Sequence, residues 1–303
     1  MTASYELELM EWLRRRSCDH PVVKLGIGDD MALLDLPSGR ILVSSDLLLD
    51  GVHFDTRRHR LTQIGRKAVA CSLSDCAAMA VRPVAVTVSV ALPRSRTLAE
   101  AQELLEGVIS MAGEYDAAVV GGDTTSWDES LAVDVAITAV PYQNIEPVRR
   151  SGAQSGDTLY VTGRLGGSSL GRHLSFTPRV HEAHTVAEAL GDRLHAMIDI
   201  SDGLALDLWR LCRASGVGAI LDEPLLESVI SNDAQRLAGE DGRPAIKHAL
   251  TDGEDYELLM AVAGDAIVEG LSLYPVGRIA ASDLQMRGAD GALSQLKPEG
   301  FVH

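Results

Sequence analysis

The alternation of short apolar strands with helices along the whole chain is the feature that most constrains its fold. Apolar and polar residues alternate from 84 to 92, which predicts a strand. Apolar residues recur at helical spacing from 61 to 81 and from 97 to 113. The other strands predicted in this half are 40–46, 117–121 and 131–137. An aromatic content of only 4% also favours α/β layers over a β-sandwich, so the predicted fold class is α/β (α+β).

Residues 141–150 interrupt this pattern, because they lack periodicity and carry two prolines. A length of 303 residues suits two domains better than one. We therefore predict an N-terminal domain of residues 1–140 and a C-terminal α/β domain of residues 141–303. The second domain is predicted to contain strands at 158–162, 196–200, 218–222 and 256–262, and a helix marked by Leu204, Leu208, Leu211 and Cys212.

The chain is acidic, with 27 Lys and Arg residues against 43 Asp and Glu residues and a formal net charge of −16. A general nucleic-acid surface needs clustered cations, so no nucleic-acid partner is expected. The longest apolar stretch, around 84–92, is far shorter than the ~20 residues of a membrane span. Residues 1–12 predict an amphipathic helix and not a signal peptide. The four cysteines lack zinc-ligand spacing, and as free thiols they predict a cytoplasmic protein.

A set of acidic residues occupies predicted strand ends and glycine turns instead of helix faces. Ligands of open α/β sheets bind at strand ends, so we expect these acids to converge on one cleft. Converging carboxylates repel one another unless hard cations lie between them or some of them hold protons. Oxygen ligands favour Mg²⁺, which commonly bridges carboxylates to phosphates, and the predicted ligand is a Mg²⁺-phosphate. The acids are Asp29, Asp30, Asp46, Asp75, Asp123, Asp199, Asp202, Glu254 and Asp255.

The sequence lacks the motifs of the two common ATP-binding architectures. It has no G-x-x-x-x-G-K-[ST] loop, and it has neither the H-R-D nor the D-F-G motif of protein kinases. Any phosphate chemistry must therefore use a different scaffold.

The acidic motifs, taken in order, resemble the thiamine-monophosphate kinase family. The resemblance extends to its superfamily, which includes aminoimidazole ribonucleotide synthetase, selenophosphate synthetase and the hydrogenase-maturation protein HypE. Eight motifs in sequence, spread over nearly the whole chain, carry it. They are G-I-G-D-D-M-A-L-L (26–34), S-S-D-L-L-L-D-G-V-H-F (44–54), K-A-V-A-C-S-L-S-D-C-A-A-M-A (67–80), G-G-D-T-T (121–125), R-S-G-A-Q-S-G-D-T-L-Y-V-T-G (150–163), P-R-V (178–180), I-D-I-S-D-G-L-A-L-D-L (198–208) and G-E-D-Y-E-L (253–258).

This resemblance implies a two-domain fold like that of aminoimidazole ribonucleotide synthetase. Its N-terminal mixed-sheet domain would bind ATP and Mg²⁺ and pair with a second copy in a homodimer, and its C-terminal domain would complete the active site. The implied reaction is ATP-dependent phosphorylation of thiamine monophosphate to thiamine diphosphate, a step of thiamine biosynthesis with several Mg²⁺ ions. A phosphate acceptor is already anionic near neutral pH and needs little general base, so we expect direct in-line transfer without a phosphoenzyme.

The resemblance also assigns roles to particular residues. It places Asp30, Asp75 and Asp123 at the centre of catalysis. It implies nucleotide contacts from Gly122, Asp123, Arg150 and Ser201, and contacts to thiamine monophosphate from His53, Glu254 and Phe301. The implied Mg²⁺ ligands are Asp30, Ser44, Ser45, Asp46, Asp75, Asp123, Asp199 and Asp202.

Each of these residues also has a structural interpretation. Asp202 precedes a predicted helix and would cap it. His53 would be a structural histidine, Arg150 a linker charge and Phe301 an aromatic residue that packs the terminus. Gly121 and Gly122 would serve as turn residues, Lys67 as a solvated helix charge and Tyr115 as a core residue.

Two rival functions remain open at the sequence level. The first is a related ATP-dependent synthetase such as aminoimidazole ribonucleotide synthetase. The second is a non-catalytic Mg²⁺-nucleotide-binding paralogue. It is favoured by a departure from the family at residues 166–171, where the usual acidic turn and longer helix are shortened and Pro178 follows within seven residues. Formation of ADP with each plausible acceptor separates these functions.

Overall fold

The computed structural model describes residues 21–301, which form two mixed β-sheets. The predicted helix at residues 1–12 lies outside this range. The first sheet has the strand order β1-β2-β3-β6-β4-β5, in which β4 and β5 are parallel and the other neighbours are antiparallel. Its strands are β1 (Val23–Leu25), β2 (Ala32–Leu36), β3 (Gly39–Leu49), β4 (Val81–Pro93), β5 (Ala118–Trp127) and β6 (Ala132–Pro141).

The second sheet has the order β13-β12-β9-β11-β7-β10-β8, with one parallel pair, β9 and β12. Its strands are β7 (Thr158–Val161), β8 (Leu194–Asp199), β9 (Gly218–Asp222), β10 (Leu258–Val262), β11 (Tyr274–Ala280), β12 (Leu284–Arg287) and β13 (Leu293–Gln295). The helices are α1 (Leu61–Ala78), α2 (Leu98–Glu114), α3 (Arg172–Ser175), α4 (Val180–Leu190), α5 (Leu204–Ser215), α6 (Glu223–Glu227), α7 (Asn232–Asp241) and α8 (Ala245–Thr251), with 3₁₀ turns at Ser168–Leu170 and Gly191–Arg193. The α/β class is confirmed.

Helix α1 is buried on nearly every side, because it lies between the first sheet and elements of the second half. Its neighbour α2 approaches it backbone to backbone at two glycines, Gly65 and Gly107. A Cβ added at Gly65 would overlap the carbonyl oxygen of Leu104, and one added at Gly107 would overlap that of Thr62. Helix α2 itself begins at a capping box, in which the Thr97 hydroxyl accepts from the backbone N–H of Glu100.

The hydrophobic core continues from the first half of the chain into the second. Strand β10 shows why, since its side chains alternate between the two faces of the second sheet. Leu258 and Met260 join the core around α1, whereas Leu259 and Ala261 pack on the opposite face with α5. The boundary predicted at residues 141–150 does fall between the two sheets, but apolar packing crosses it. The division into domains at residue 140 stays a prediction.

Strand β5 forms an edge of the first sheet and is exposed along its whole length. Val120 is 63% exposed there, and Leu47 on the same sheet is 57% exposed. Within residues 21–301, no helix combines the length and apolar character that a bilayer crossing requires.

Candidate active site

Three carboxylates converge where the two sheets meet. One oxygen each from Asp30, Asp75 and Asp199 can lie within 4.8 Å of the others. Asp30 lies in the loop between β1 and β2, Asp75 in the last turn of α1, and Asp199 at the end of β8. Ser74 donates a 2.6 Å hydrogen bond to Asp199 and thereby ties α1 to β8. We name these three residues the acid cluster.

Burial makes the acid cluster costly to ionise. It raises the pKa of Asp75 well above its ordinary value, and the negative charges of Asp46, Asp199 and Asp30 raise it further. Burial and the charge of Asp30 likewise raise the pKa of Asp199. Asp46 lies beside the cluster on β3, where burial raises its pKa to about 6 although Ser72 donates to it at 2.6 Å. A cation held among these oxygens would replace the protons they otherwise keep.

The donor set fits a hard cation such as Mg²⁺. Every group at the cluster is an oxygen donor, which is the ligand type that Mg²⁺ prefers. The Ser44 hydroxyl is buried without a hydrogen bond of standard geometry, although it faces Asp75 and lowers the pKa of that carboxyl. A buried hydroxyl without a partner is costly, and a bound cation or its water would satisfy it.

Arg150 lies directly against the cluster. Its guanidinium contacts both oxygens of Asp30, at 2.9 and 2.7 Å, and its backbone N–H donates to Asp29 at 3.2 Å. Burial and the charge of Asp30 raise the pKa of Asp29 to about 6. The interpretation of Arg150 as a simple linker charge is therefore wrong, because its guanidinium forms an ion pair with Asp30.

Asp202 is near the site but lies outside the cluster. Its carboxylate pairs with Arg210 at 2.6 Å, and its backbone N–H donates to Asp207 at 2.9 Å. Asp207 also accepts from Gly203 and from Arg210, so this pair fixes the turn before α5. The sequence analysis did not identify Asp207 and Arg210. The one feature of the sequence that could have pointed to them is their position in the first two turns of α5.

Asp123 and Ser45 are also separate from the acid cluster within one chain. Asp123 lies in the middle of the exposed strand β5, and Ser45 donates to Asp134 at 2.7 Å on the outer face of the sheet. Ser45 and Asp46 point to opposite faces because they are adjacent in β3. Gly122 permits close pairing of β5 with β4, since an added Cβ would overlap the carbonyl oxygen of Val88.

The expectation that the acids lie at strand ends or in turns is wrong for Asp46, Asp75 and Asp123. Strands β3 and β5 continue beyond Asp46 and Asp123, and Asp75 is part of a helix. The sheets are also largely antiparallel, so the strand-end rule for parallel sheets does not account for this site. A loop, a helix end and a strand end meet there instead.

A second polar group gathers around Lys67, which is fully buried, so its interpretation as a solvated charge is wrong. Its ammonium donates to the backbone carbonyl of His53 and to Glu254, both at 2.5 Å, and lies 3.0 Å from Nδ1 of His173. Burial alone would raise the pKa of Glu254, but the hydrogen bond with His173 and the charge of Lys67 hold it below its ordinary value. Tyr115 is buried, as predicted.

The turn that carries Glu254 has an unusual backbone. Glu254 and Tyr256 both have positive φ angles, 54° and 52°, which are uncommon for residues with a side chain. The backbone N–H of Glu254 donates to the Ser201 carbonyl at 2.6 Å. Phe301 joins this group, because its N–H donates to the Asp202 carbonyl and its Cβ lies 2.9 Å from where a Cβ at Gly253 would be.

Asp255 anchors the same turn and is not part of the acid cluster. Its oxygens accept from the backbone N–H of Gly166 at 2.9 and 3.0 Å and from Arg172 at 2.5 Å. Burial raises the pKa of Asp255 to about 8, although Arg172 opposes that effect. The shortened segment after Gly171 forms the four-residue helix α3, which supplies Arg172 and His173.

Comparison with known proteins places the chain among similar sequences and structures. The family described as AIR synthase related protein, N-terminal domain, matches residues 28–141. The thiamine-monophosphate kinase of Rhodopirellula baltica is 39% identical, over 98% of this chain and 97% of its own. The solved structure of AaThiL complexed with AMPPCP and TMP has a TM-score of 0.81 and 27% identity, covering 98% of this chain and 96% of that one. The structure of thiamine-monophosphate kinase from Stenotrophomonas maltophilia has a TM-score of 0.71 and 30% identity, covering 95% and 96%.

Proposed function

Because the chain belongs to the thiamine-monophosphate kinase family, we propose that it transfers the γ-phosphoryl group of ATP to thiamine monophosphate and so forms thiamine diphosphate. The observation that carries this proposal is the acid cluster of Asp30, Asp75 and Asp199, with the buried Ser44 hydroxyl facing Asp75 beside it. Both suit a Mg²⁺-bound polyphosphate.

Asp30, Asp75 and Asp199 would hold Mg²⁺, with Asp46 and Ser44 adjacent. When bound, the ion neutralises charge on the transferring phosphate. The Arg150 guanidinium would exchange its contact with Asp30 for a contact with a phosphate oxygen. Its backbone N–H would keep its hydrogen bond with Asp29. The acceptor phosphate is itself the nucleophile, so the chain must align the two substrates more than move protons.

The remaining assignments belong to the same proposal. Gly122, Asp123 and Ser201 contact the nucleotide, and His53, Glu254 and Phe301 contact thiamine monophosphate. Support for placing Glu254 and Phe301 together is spatial, because the Glu254 N–H donates to the Ser201 carbonyl and the Phe301 N–H donates to the carbonyl of the next residue, Asp202. As a metal ligand, Asp202 would share its carboxylate with Arg210, and Ser45 would bind through an atom other than its outward-facing hydroxyl.

We further propose that the protein acts as a homodimer, with β5 covered by a second copy. An exposed edge strand with Val120 and Trp127 on its surface favours such pairing. It would also give Asp123 a place in a site formed by two chains. Light scattering after size exclusion should give twice the chain mass of 32.3 kDa, and Val120→Asp should lower the measured mass to that of one chain.

The free thiols of Cys71, Cys76 and Cys212 suit a reducing compartment, and we place the reaction in the cytoplasm.

The test of function mixes the protein with Mg²⁺, ATP and one acceptor at a time, and follows ADP and the acceptor product by chromatography. Equal amounts of ADP and thiamine diphosphate from thiamine monophosphate, abolished by EDTA, are the expected result. ADP formation with an aminoimidazole precursor would favour the synthetase alternative. ATP binding without product from any acceptor would favour the non-catalytic one.

A further inference from the structure

The Lys67 ammonium is the most completely enclosed cation described in the chain, and its position is not explained by the acid cluster. Lys67 has no exposed surface, and its partners are the His53 carbonyl, Nδ1 of His173 and Glu254. Burying an ammonium group is costly unless its donors are all satisfied. The His53 carbonyl and the Glu254 carboxylate accept two of the three Nζ donors, and Nδ1 of His173, whose role depends on its tautomer, lies 3.0 Å from Nζ.

These partners come from three separate parts of the fold. His53 follows β3, His173 lies in the short helix α3, and Glu254 lies in the turn before β10. Two of them, His53 and Glu254, are the residues proposed above to contact thiamine monophosphate. One buried cation therefore fixes both sides of the proposed acceptor site relative to helix α1.

Glu254 needs such an anchor more than an ordinary turn residue does. Its backbone and that of Tyr256 adopt positive φ angles, which persist only when the surroundings hold them. The Glu254 backbone is held by Ser201, and its carboxylate is held by Lys67 and lies 3.3 Å from His173. The His53 ring is oriented separately, because its Nδ1 accepts from the N–H of Leu49 at 3.0 Å.

Helix α1 also sets the distance between the two ends of the site. Lys67 and Asp75 are eight residues apart on this helix, which corresponds to about 12 Å along its axis. The last turn of α1 therefore carries Asp75 of the acid cluster, and the middle of the helix carries Lys67. A rigid helix between them suits a reaction in which a donor phosphate and an acceptor must be aligned.

We propose that Lys67 is a positioning residue for the acceptor: it orders His53 and Glu254 for thiamine monophosphate and leaves ATP binding to the acid cluster at the last turn of α1. This inference rests on the proposed function. The alternative is that Lys67 only stabilises the packing of α1 against the second half. A structural role alone would affect both substrates equally or only the melting temperature.

The experiment measures KM for each substrate, kcat and the melting temperature of Lys67→Gln. We expect KM for thiamine monophosphate to rise about tenfold or more, with KM for ATP within about twofold of the wild type. Arg66→Gln is the matched control. Arg66 is the neighbouring residue of α1 and donates to the carbonyls of Leu174 and Phe176, so it also links α1 to the second half but touches neither acceptor residue. We expect it to lower the melting temperature without separating the two KM values.

A second variant covers the case in which Lys67→Gln fails to fold. Lys67→Arg keeps the buried charge but replaces the compact ammonium with a wider planar group, and should raise KM for thiamine monophosphate several-fold.

The effect of Lys67→Gln on KM for thiamine monophosphate should also largely disappear in a Glu254→Gln background, since Lys67 acts through that carboxylate. Equal changes in both KM values, or an unchanged acceptor KM in a folded Lys67 variant, would overturn the inference. An inactive wild type would instead contradict the proposed function.

Discussion

At the scale of single residues, the charged neighbours of a buried carboxylate decide whether its pKa is raised or lowered. Asp75 and Asp199 face other acids and have raised pKa values, whereas Lys67 and His173 keep the pKa of Glu254 low despite its burial. The carboxylates of the acid cluster and the carboxylate of Glu254 therefore have pKa values shifted in opposite directions, although both sites are buried. The first suits a cation with its phosphates, and the second is already neutralised by the protein.

Asp75→Asn tests the first of these sites. The amide keeps the shape of the side chain but removes its charge, so turnover should fall by a factor of about 100 or more. The fold should survive, because the substitution also removes repulsion from Asp46 and Asp199. Steady-state turnover and thermal melting measure the two effects. Asp35→Asn is the control, because this carboxylate on β2 is 45% exposed. It should leave both turnover and the melting temperature unchanged. Unchanged turnover in Asp75→Asn would remove Asp75 from the site.

At the scale of elements, α1 is the part of the fold on which the site depends most. It carries Asp75, Ser74 and Lys67, and its position is set by close contact with α2 at Gly65 and Gly107. The contact requires glycine at both places, because a Cβ would meet a backbone carbonyl of the other helix. A shift of α1 would therefore disturb both ends of the site together.

Gly107→Ala should push the two helices apart, lower the free energy of unfolding by about 1–3 kcal/mol and raise KM for both substrates. Gly113→Ala is the matched control on the same helix, since nothing lies within 4 Å of its added Cβ. Gly113→Ala should leave the free energy of unfolding unchanged or raise it by up to about 1 kcal/mol. Denaturant melts of the two variants measure the difference, and equal stabilities would contradict the helix contact.

The sequence predicts the main helices and the identity of most acids at the site, but not how they meet. Periodicity marks α1 and α2 within a few residues because their buried faces repeat at helical spacing. Lys67 was misread because a lysine inside an Ala-rich helix gives no sign of partners over 100 residues away in sequence, as His173 and Glu254 are. The pair between Arg210 and Asp202 was missed because it depends on the folded conformation of the turn before α5, which periodicity does not predict.

At the scale of the whole molecule, the acid cluster joins elements from both sheets, so its charge acts on the stability of the entire chain. The pKa of Asp46 rises from 3.8 to about 6 in the folded protein, and burial raises those of Asp75 and Asp199 as well. Ionising Asp46 costs about 3 kcal/mol more in the folded chain than in the unfolded chain, since one pKa unit is about 1.4 kcal/mol. The continuous core between the halves transmits this cost to global unfolding.

Stability should therefore depend on pH and Mg²⁺ together. Between its ordinary pKa of 3.8 and about pH 6, Asp46 holds its proton more often in the folded chain than in the unfolded chain. Without metal, its contribution to the free energy of unfolding therefore falls as pH rises through about 6, and the raised pKa values of Asp75 and Asp199 act in the same direction. Thermal melts in EDTA should give a lower melting temperature at pH 7.5 than at pH 5.5. Mg²⁺ should restore stability mainly at the higher pH, because it competes with protons.

Asp46→Asn is the control for this effect. It removes one titrating group but keeps an oxygen that can accept from Ser72, so the pH dependence in EDTA should become shallower. A melting temperature that rises between pH 5.5 and 7.5 without metal would show that the cluster is not a set of buried, repelling acids.

The central claim is direct, metal-assisted transfer from ATP to thiamine monophosphate at the acid cluster. A rapid-quench experiment with excess enzyme, Mg²⁺, thiamine monophosphate and ATP labelled in the γ-phosphate tests it most directly. We predict that the label passes straight into thiamine diphosphate, that no labelled protein forms at any time, and that EDTA abolishes transfer. Labelled protein that precedes product, or label released only as inorganic phosphate, would contradict the account.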